Sequence, residues 1–151
     1  MELELTFVML KPDAVQRGLI GELITRLEHC GLKVIAMKFM QISKELAQEH
    51  YSEHVGKPFY EKLVTYITSG PVVPMVLEGA NAIDFVRKLV GATDPQEAAA
   101  GTIRADYAQE IGRNLIHASD SKSSAEREIA LFFSDSEFIS YTKIDDPWVH
   151  E

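Results

Sequence analysis

The sequence lacks the features that mark several common protein classes. Its single cysteine, Cys30, can form neither an internal disulfide nor a cysteine-based metal site, and it favours a reducing compartment such as the cytoplasm. The longest nearly apolar run, Val72–Leu77, is far shorter than the roughly 20 residues of a membrane span. The first residues, Met1-Glu2-Leu3-Glu4, do not predict a secretory signal. A disulfide framework, a membrane protein and a secreted protein are therefore not predicted.

Two familiar phosphate cradles are also missing. The chain contains neither G-x-x-x-x-G-K-[ST] nor G-x-G-x-x-G, which bind phosphates through glycine-rich backbone loops. Positive charge is scarce, because 15 basic residues face 23 acidic ones and give a net charge of -8. Residues 120–151 alone hold eight acids and three bases, so this segment is expected to be an acidic surface. Nucleic acid and anionic lipid are thus disfavoured as partners, although a few local cations would suffice for a mononucleotide.

The apolar residues, 46% of the chain, support one core, and we expect a single domain over residues 1–151. Interleaved apolar patterns of helical spacing separate four predicted strands, which favours an α/β sandwich with a mainly antiparallel sheet. Pro74 predicts that its strand is an edge strand or contains a bulge. The predicted strands are Leu5–Leu10, Leu32–Ile42, Val72–Leu77 and Asn114–Ala118.

Polar residues mark the expected starts of three helices. Ser43 and Asn81 are typical N-caps, and Ser123 with Glu126 has the spacing of a capping box. Residues 91–113 have few large apolar side chains and are predicted to form a long loop. A connection of this length in a compact domain is usually functional.

His117, Ser119 and Glu128 form the strongest local pattern. Strand alternation places His117 and Ser119 on one face, and Glu128 lies at the margin of the apolar stripe of the next helix. A partly desolvated carboxylate there needs a donor, and the imidazole N–H could supply it. The other ring nitrogen would then be an outward-facing nucleophile. The alternative is a surface histidine and an exposed glutamate.

Three isolated cations, Lys11, Arg87 and Arg104, are predicted at element ends or in the long loop. Each could be an ordinary surface ion-pair residue. Together they could instead hold a polyphosphate without a glycine-rich cradle.

A second motif suggests different chemistry. His50, Glu53 and His54 match the H-x-x-E-H pattern of zinc hydrolases, in which two histidines bind the metal and the glutamate is the base. The pattern matches at only three positions, and no third ligand can be identified. The alternative, which we favour, is that both histidines lie on a solvated helix face.

Six motifs in order make the chain resemble the nucleoside diphosphate kinase family over nearly its whole length. The His117 signature is the most informative of them, because it contains the predicted nucleophile. The motifs are Thr6-Phe7 with Leu10-Lys11-Pro12-Asp13, Gln16-Arg17-Gly18-Leu19-Ile20-Gly21, Ser69-Gly70-Pro71-Val72-Val73, Gly101-Thr102-Ile103-Arg104, Asn114…His117…Ser119-Asp120-Ser121, and Trp148-Val149-His150-Glu151.

The resemblance implies a ping-pong transfer of a γ-phosphoryl group from a nucleoside triphosphate, typically ATP, to a nucleoside diphosphate. His117 would be phosphorylated on Nδ1, while its Nε2–H is bonded to Glu128 and Ser119 supports that carboxylate. Tyr51 would lie beside the phosphorylated histidine. Phe59 would stack on the base, with Leu63 helping to form the slot. The implied phosphate and sugar contacts are Lys11, Arg87, Thr93, Arg104 and Asn114.

The resemblance also implies a fold, a cofactor and an assembly. The expected fold is α+β, a ferredoxin-like βαββαβ unit whose four-stranded antiparallel sheet is covered by helices, with the long loop near 91–113. Mg²⁺ would be held mainly by the nucleotide phosphates, without a protein cage. The chain would form a homo-hexamer, or else a tetramer. Four positions depart from the family pattern and concern the loops and assembly rather than the chemistry: Pro74, Ala100, Ala105 and Ala118.

Two other functions fit the same fold. An RNA-binding module is disfavoured by the negative charge and by the lack of a basic-aromatic strand motif. A non-catalytic nucleotide-binding or interaction subunit is the main alternative. The joint presence of Lys11, Arg104, His117 and Glu128 favours the enzyme over that subunit.

Overall fold

The computed structural model describes residues 2–151 and contains one four-stranded sheet in the order β2-β3-β1-β4. Every neighbouring pair of strands is antiparallel, and helices separate most of the strands along the chain. This is the predicted α+β, ferredoxin-like arrangement. The strands are β1 (Leu3–Leu10), β2 (Lys33–Met37), β3 (Val73–Ala80) and β4 (Ile116–Ala118).

Eight α-helices connect or cover the strands of the sheet in the described part of the chain. Three single 3-10 turns, at Ser52–His54, Pro95–Glu97 and Asp135–Glu137, lie in the connections. The helices are α1 (Pro12–Gln16), α2 (Ile20–His29), α3 (Lys44–His50), α4 (Tyr60–Ile67), α5 (Ala82–Val90), α6 (Ile103–Tyr107), α7 (Lys122–Phe132) and α8 (Asp146–Val149).

The central strand β1 supplies apolar side chains to both faces of the sheet. Val8 and Leu10 join a cluster with residues of α2, α5 and α6. Phe7 and Met9 point to the opposite face and join residues of α3, α4 and α7. Because alternate residues of a strand face opposite sides, a continuous apolar run at the centre of the sheet builds two cores at once.

The edge position, one of the two alternatives predicted from Pro74, is wrong; the β2–β3 pairing does contain an irregularity, but it lies on β2 between Val34 and Ala36 rather than at Pro74. Pro74 lies in β3, between β2 and β1, opposite Met9. Its carbonyl oxygen accepts a hydrogen bond from the backbone N–H of Lys38, which follows β2. In an antiparallel ladder the N–H and C=O of a residue face the same neighbouring strand, so the N–H that proline lacks would face β2. The regular β2–β3 pairing has already ended at Met37, so no ladder bond is lost there.

All four predicted strands and the predicted loop have different bounds in the structure. β1 begins at Leu3 rather than Leu5, and β3 covers Val73–Ala80 rather than Val72–Leu77. β2 ends at Met37 rather than Ile42, with only an isolated bridge from Met40 to Val72 beyond it. β4 begins at Ile116 rather than Asn114, because Leu115 has a left-handed backbone with φ of 73°. The 91–113 connection is not wholly irregular, since it contains a 3-10 turn and α6, whose first turn is capped by Thr102.

Helix capping agrees with the sequence at one of three predicted positions. The Ser43 hydroxyl accepts the backbone N–H of Leu46 at 3.1 Å, as predicted. Asn81 precedes α5 but makes no side-chain cap, and Glu4 accepts the Ile83 N–H instead, at 2.9 Å.

The capping box predicted at Ser123 is wrong. The helix α7 begins earlier, at Lys122, and its N-cap is Ser121, whose hydroxyl accepts the N–H of Ser124 at 3.1 Å. Only Ser123 has a glutamate three residues later, so the capping-box pattern favoured the wrong serine.

The three alanine departures from the family pattern require no unusual backbone. Among residues 2–151, the non-glycine residues with positive φ are Asn81 and Leu115, so Ala100, Ala105 and Ala118 all have ordinary φ values. Ala105 lies inside α6, where alanine is the best helix former. Within the same described range, no helix combines the length and apolar character that crossing a membrane requires.

We expect Ser121→Ala to lower the free energy of unfolding by about 1 kcal/mol, because it removes the N-cap of α7. The matched control is Ser123→Ala, an exposed position one residue inside the helix, which should change stability by less than about 0.5 kcal/mol. Urea unfolding monitored by circular dichroism measures both values. A larger loss for Ser123→Ala would contradict this N-cap assignment.

Candidate active site

A cavity of about 300 Å³ lies where the end of β1, the start of β4 and the ends of several helices meet. It brings together side chains that are widely separated in sequence. Most of the residues implied by the family resemblance line it. The lining residues are Lys11, His50, Tyr51, Glu53, His54, Arg87, Thr93, Arg104, Asn114, His117, Ala118, Asp120, Ser124 and Glu128.

His117 and Glu128 form a hydrogen-bonded pair at the wall of this cavity. His117 lies at the middle of β4, and its Nε2 is 2.9 Å from Oε1 of Glu128 on α7. Ser119 is fully buried behind the pair and donates its hydroxyl to the same carboxylate oxygen at 2.5 Å. The strand and the helix that follows it thus place all three side chains in contact.

The pairing determines which nitrogen of His117 carries the proton. A carboxylate can only accept hydrogen bonds, so Nε2 carries the hydrogen and Nδ1 retains its lone pair. Burial alone would raise the pKa of the Glu128 carboxyl, but the hydrogen bonds from His117 and Ser119 outweigh it and hold that pKa below its ordinary value. Glu128 is therefore ionised at neutral pH, as this tautomer requires.

A second set of bonds fixes the residues just before β4. The Asn114 side chain accepts from Lys11 Nζ at 2.8 Å and donates to the Thr93 carbonyl at 2.9 Å. The left-handed backbone of Leu115 is held by Asp13, which accepts the Leu115 N–H at 3.1 Å. The strained conformation therefore has specific partners, and it turns Asn114 toward the cavity.

Asp13 is itself oriented by Tyr66, whose hydroxyl donates to the other carboxylate oxygen. Tyr66 lies on α4, so this bond connects α4 to the site. Burial, followed by the bond to Asp13, raises the pKa of the Tyr66 hydroxyl and keeps it a donor at neutral pH.

Arg104 is buried, and its guanidinium is held by backbone carbonyls rather than by a carboxylate. Nε and the two terminal nitrogens donate to the carbonyls of Asn114 at 3.2 Å, Gly91 at 2.9 Å and Ile116 at 2.5 Å. A guanidinium has five N–H donors, so two remain for a ligand in the cavity. Arg87 similarly donates to the Ala118 carbonyl at 2.9 Å.

No acidic side chain among residues 2–151 lies within ion-pair distance of Lys11, Arg87 or Arg104. Burial, and then the charge of Arg104, lowers the pKa of Lys11 to about 8, while Asp13 opposes that shift. Burial and Arg87 lower the pKa of Arg104 to about 10, so it stays charged at neutral pH. Lys11 and Arg104 are thus desolvated cations without a carboxylate partner, and an anionic ligand would match them.

Two aromatic side chains lie close to His117. Tyr51 follows α3 and lines the cavity, and burial followed by Glu128 raises the pKa of its hydroxyl to about 12. The His50 ring meets the His117 ring edge-on, with centroids 5.1 Å apart and an interplanar angle of 84°. Burial, and then His117, lowers the pKa of His50 to about 3, so its imidazole is neutral.

Phe59 and Leu63 lie at the periphery and do not line the cavity itself. Phe59 is 44% exposed, just before α4, and its ring contacts the ring of His54 with centroids 5.2 Å apart. Leu63 lies one turn further along α4 and is half-buried. His54 therefore bridges the cavity and an exposed aromatic face at its rim.

The sequence assigned no role to several residues that the structure places in or behind the site. Asp13 accepts the Leu115 N–H and Tyr66 orients Asp13. Asp120 and Ser124 line the cavity. Asp13 belongs to the first of the six motifs, but its bond to the Leu115 N–H spans 102 residues, so no local pattern reveals it. Asp120 belongs to the His117 motif but was given no role, and no pattern pointed to Ser124.

The structure supports neither interpretation of the H-x-x-E-H motif, as a zinc site or as a solvated helix face. The helix α3 ends at His50, and His54 lies in a separate 3-10 turn, so the two histidines do not share one helical face. Far from lying on a solvated face, His50 is 4% exposed. Across residues 2–151, the one cluster with metal-ligand proximity joins His50 to His117 and Glu128, not to Glu53 or His54.

Comparisons with known proteins agree with this geometry. The family model described as nucleoside diphosphate kinase matches residues 4–138. A nucleoside diphosphate kinase from Archaeoglobus fulgidus is 62% identical over 99% of this chain and 99% of its own length. One from Staphylococcus epidermidis is 56% identical over 99% of this chain and 100% of its own.

Solved structures give the same result for the fold. The halophilic nucleoside diphosphate kinase of Halobacterium salinarum, in complex with CDP, superposes with a TM-score of 0.97 at 57% identity, covering 99% of this chain and 100% of that one. A family protein from Babesia bovis has a TM-score of 0.95 at 45% identity, covering 97% and 99% of the two chains. The chain therefore belongs to the nucleoside diphosphate kinase family and has that family's phosphotransferase activity.

Proposed function

We propose that this chain carries out the nucleoside diphosphate kinase reaction by a ping-pong route through a phosphohistidine on His117. The proposal rests on the position of His117 beside three cations. A nitrogen lone pair of His117 belongs to a cavity walled by three cations that have no carboxylate partners among residues 2–151. Such a site attracts a polyphosphate and offers it a nucleophile.

In the first half-reaction, Nδ1 of His117 donates its lone pair to the γ-phosphorus of a nucleoside triphosphate. The bond from that phosphorus to the β,γ-bridging oxygen breaks, and the nucleoside diphosphate leaves with the oxygen's electron pair. Glu128 balances the positive charge that develops on the ring through the bond at Nε2. The second half-reaction reverses these steps with another diphosphate, so donor and acceptor use one site in turn.

Lys11, Arg87 and Arg104 are the proposed contacts to the phosphates, with Thr93 and Asn114 as further contacts to phosphate and sugar. Phosphoryl transfer needs mainly alignment and charge stabilisation. Arg104 suits this role because three backbone carbonyls fix its plane before any ligand binds. Tyr51 would limit the space beside Nδ1, and Ser119 would keep Glu128 in place.

Mg²⁺ is the proposed cofactor and would be carried mainly by the nucleotide. Mg²⁺ prefers oxygen ligands in an octahedron, and the one ligand cluster among the described residues is rich in nitrogen. Residues 2–151 therefore offer no cluster of carboxylates for the ion, and Mg²⁺ would be held by phosphates and water. The ion supplies charge neutralisation on the phosphate oxygens when it is bound.

We propose that the base binds against Phe59, with Leu63 beside it. An exposed aromatic face at the cavity rim can stack on any base, which fits broad specificity. The Halobacterium salinarum relative was solved with CDP, a nucleoside diphosphate. That relative supports a diphosphate ligand for this site.

We also infer one kinase domain over residues 1–151, a cytoplasmic location from the single cysteine, and assembly into a homo-hexamer, with a tetramer as the second choice. Large apolar side chains are strongly exposed near the C-terminus, with Ile144 98% and Trp148 90% exposed. Such exposure is typical of surfaces that pair with another chain. Light scattering distinguishes six copies from four.

Incubation with γ-labelled ATP and Mg²⁺ should label the chain through an acid-labile, base-stable bond, and added GDP should remove the label. His117→Ala should abolish labelling, because it removes the accepting nitrogen. His29→Ala is the matched control, since His29 is exposed on α2, and it should label normally. Equal labelling of His117→Ala and the wild-type protein would overturn the mechanism.

Phe59→Ala should weaken binding of adenine, guanine and cytosine nucleotides alike, by roughly 1–3 kcal/mol, if the base stacks on this ring. Calorimetry with nucleoside diphosphates measures the three affinities. The control is Tyr60→Phe, at the neighbouring first position of α4, which leaves the Phe59 ring in place. A loss confined to one base would indicate hydrogen-bonded recognition instead.

The value of kcat/KM should fall as pH rises through about 8, because Lys11 loses the proton with which it binds phosphate. Asp13→Asn keeps an acceptor for the Leu115 N–H but removes the negative charge that raises the pKa of Lys11. The decline should therefore begin at lower pH in this variant.

Tyr66→Phe serves as the control for that experiment. It removes the hydroxyl that contacts Asp13 but leaves the carboxylate charge, so the alkaline decline should stay near its wild-type position. The groups that face Lys11 are Asp13, Arg104, Asn114 and the Tyr66 ring. Identical alkaline profiles for Asp13→Asn and wild type would show that Asp13 does not act on Lys11.

A further inference from the structure

His50 has no role in the proposed reaction, yet it is 4% exposed. Its Nδ1 has no hydrogen-bond partner in the described part of the chain. Aromatic side chains confine the ring, with Tyr51 at 4.7 Å and Phe132 at 5.5 Å between centroids. A buried polar atom without a partner is uncommon in native proteins and calls for an explanation.

The position of His50 suggests a metal ligand. His50, His117 and Glu128 each offer one ligand atom, and these atoms all lie within 4.8 Å of one another. Two imidazoles and one carboxylate form a donor set that Zn²⁺ uses when it keeps a fourth position open. Two ligands bound at about 2.0–2.1 Å stand roughly 3 Å apart, and His117 Nε2 is 2.9 Å from Glu128 Oε1.

All three side chains line the same cavity of about 300 Å³, so an ion can approach them by the nucleotide's own path. The donor set separates this ion from the Mg²⁺ of the reaction. Imidazole nitrogen favours Zn²⁺ and other transition metals, whereas Mg²⁺ favours oxygen.

We propose that His50, His117 and Glu128 form an inhibitory binding site for a transition-metal dication such as Zn²⁺. The proposal rests on the proposed function, because it concerns the same nucleophile. It uses one histidine of the H-x-x-E-H motif with different partners. The ion takes the place of the hydrogen between His117 Nε2 and the Glu128 carboxylate.

The chemical consequence concerns the tautomer of His117. A neutral imidazole carries one N–H, and a metal bond at Nε2 uses the lone pair of that nitrogen. The Nε2–H bond therefore breaks, the metal–Nε2 bond forms, and the ring's proton resides on Nδ1, with no change of oxidation state. Metal-bound histidines commonly carry the hydrogen on the other nitrogen in this way. His117 then has no lone pair where the phosphoryl group must bind.

The first test measures binding in the absence of nucleotide. Co²⁺, a spectroscopic substitute for Zn²⁺, is titrated into the wild-type protein, and its visible absorption should report about one four- or five-coordinate ion per chain, displaced by Zn²⁺. This measurement needs no variant, so it does not depend on a mutant's folding. Absence of a saturable signal would overturn the proposal and leave the kinase proposal intact.

Variants then locate the site. His50→Asn should weaken Zn²⁺ binding, measured by calorimetry, by roughly tenfold or more, because a ligand is lost. His54→Asn removes the other histidine of the motif and should retain near wild-type affinity. His29→Asn, exposed on α2, controls for surface binding. A loss that follows His54 or His29 rather than His50 would contradict the proposed ligands.

Inhibition is the last measurement. Zn²⁺ should slow labelling by γ-labelled ATP, a chelator should restore it, and excess free Mg²⁺ at a fixed ATP concentration should not, because Mg²⁺ competes poorly for imidazole nitrogen. Relief by free Mg²⁺ would mean that Zn²⁺ acts by replacing Mg²⁺ on the nucleotide, which overturns the proposal. Each variant is compared with its own rate without zinc, and His50→Asn should need roughly tenfold more Zn²⁺ for half inhibition. Failure of the kinase proposal is recognised separately, as no labelling without zinc.

Discussion

The left-handed backbone of Leu115 is the constraint on which the phosphate side of the site depends. A buried leucine adopts φ of 73° only because its N–H is bonded to Asp13 and its carbonyl accepts the Lys11 N–H at 2.8 Å. The turn ends the pairing of β4 early and exposes the carbonyls of Asn114 and Ile116, which Arg104 uses as acceptors. One strained residue therefore positions Lys11, Asn114 and Arg104 together.

The same region explains why a strongly acidic protein can bind polyphosphate. The net charge of -8 is a sum over the chain, and the 120–151 segment holds much of it. In the cavity, carbonyl oxygens rather than carboxylates hold Arg87 and Arg104. A carbonyl orients a guanidinium without neutralising it, so the full positive charge remains available to the ligand. Local charge in the site is thus independent of the total.

The sequence predicted most of the fold because its signals were local and repeated. Apolar runs and helical spacing located four strands and the main helices, and Ser43 marked a cap correctly. The errors came where tertiary contacts decided between local options. Ser121 rather than Ser123 caps α7, and Pro74 is tolerated in β3 because the neighbouring ladder has ended.

The candidate site was predictable to a different degree. Motif resemblance identified the residues that line the cavity, and the His117–Glu128 contact followed from alternation and helix position. Asp13 and Tyr66 were not assigned roles and His50 was placed on a solvated face, because their contacts join segments tens of residues apart. Phe59 and Leu63, the proposed base contacts, lie outside the cavity.

The hydrogen bond that would make His117 a nucleophile would also help His117 to bind a metal ion. To leave Nδ1 free, the ring needs an anionic acceptor at Nε2, and Glu128 fills that role. An imidazole beside a carboxylate is also the beginning of a metal site, and a second imidazole 5.1 Å away extends it. Ser119 opposes this by donating to the same oxygen that an ion would use, so an ion there would share the oxygen with a buried hydrogen bond that weakens it as a ligand. The strength of that single bond therefore helps to determine whether the site selects phosphate or metal.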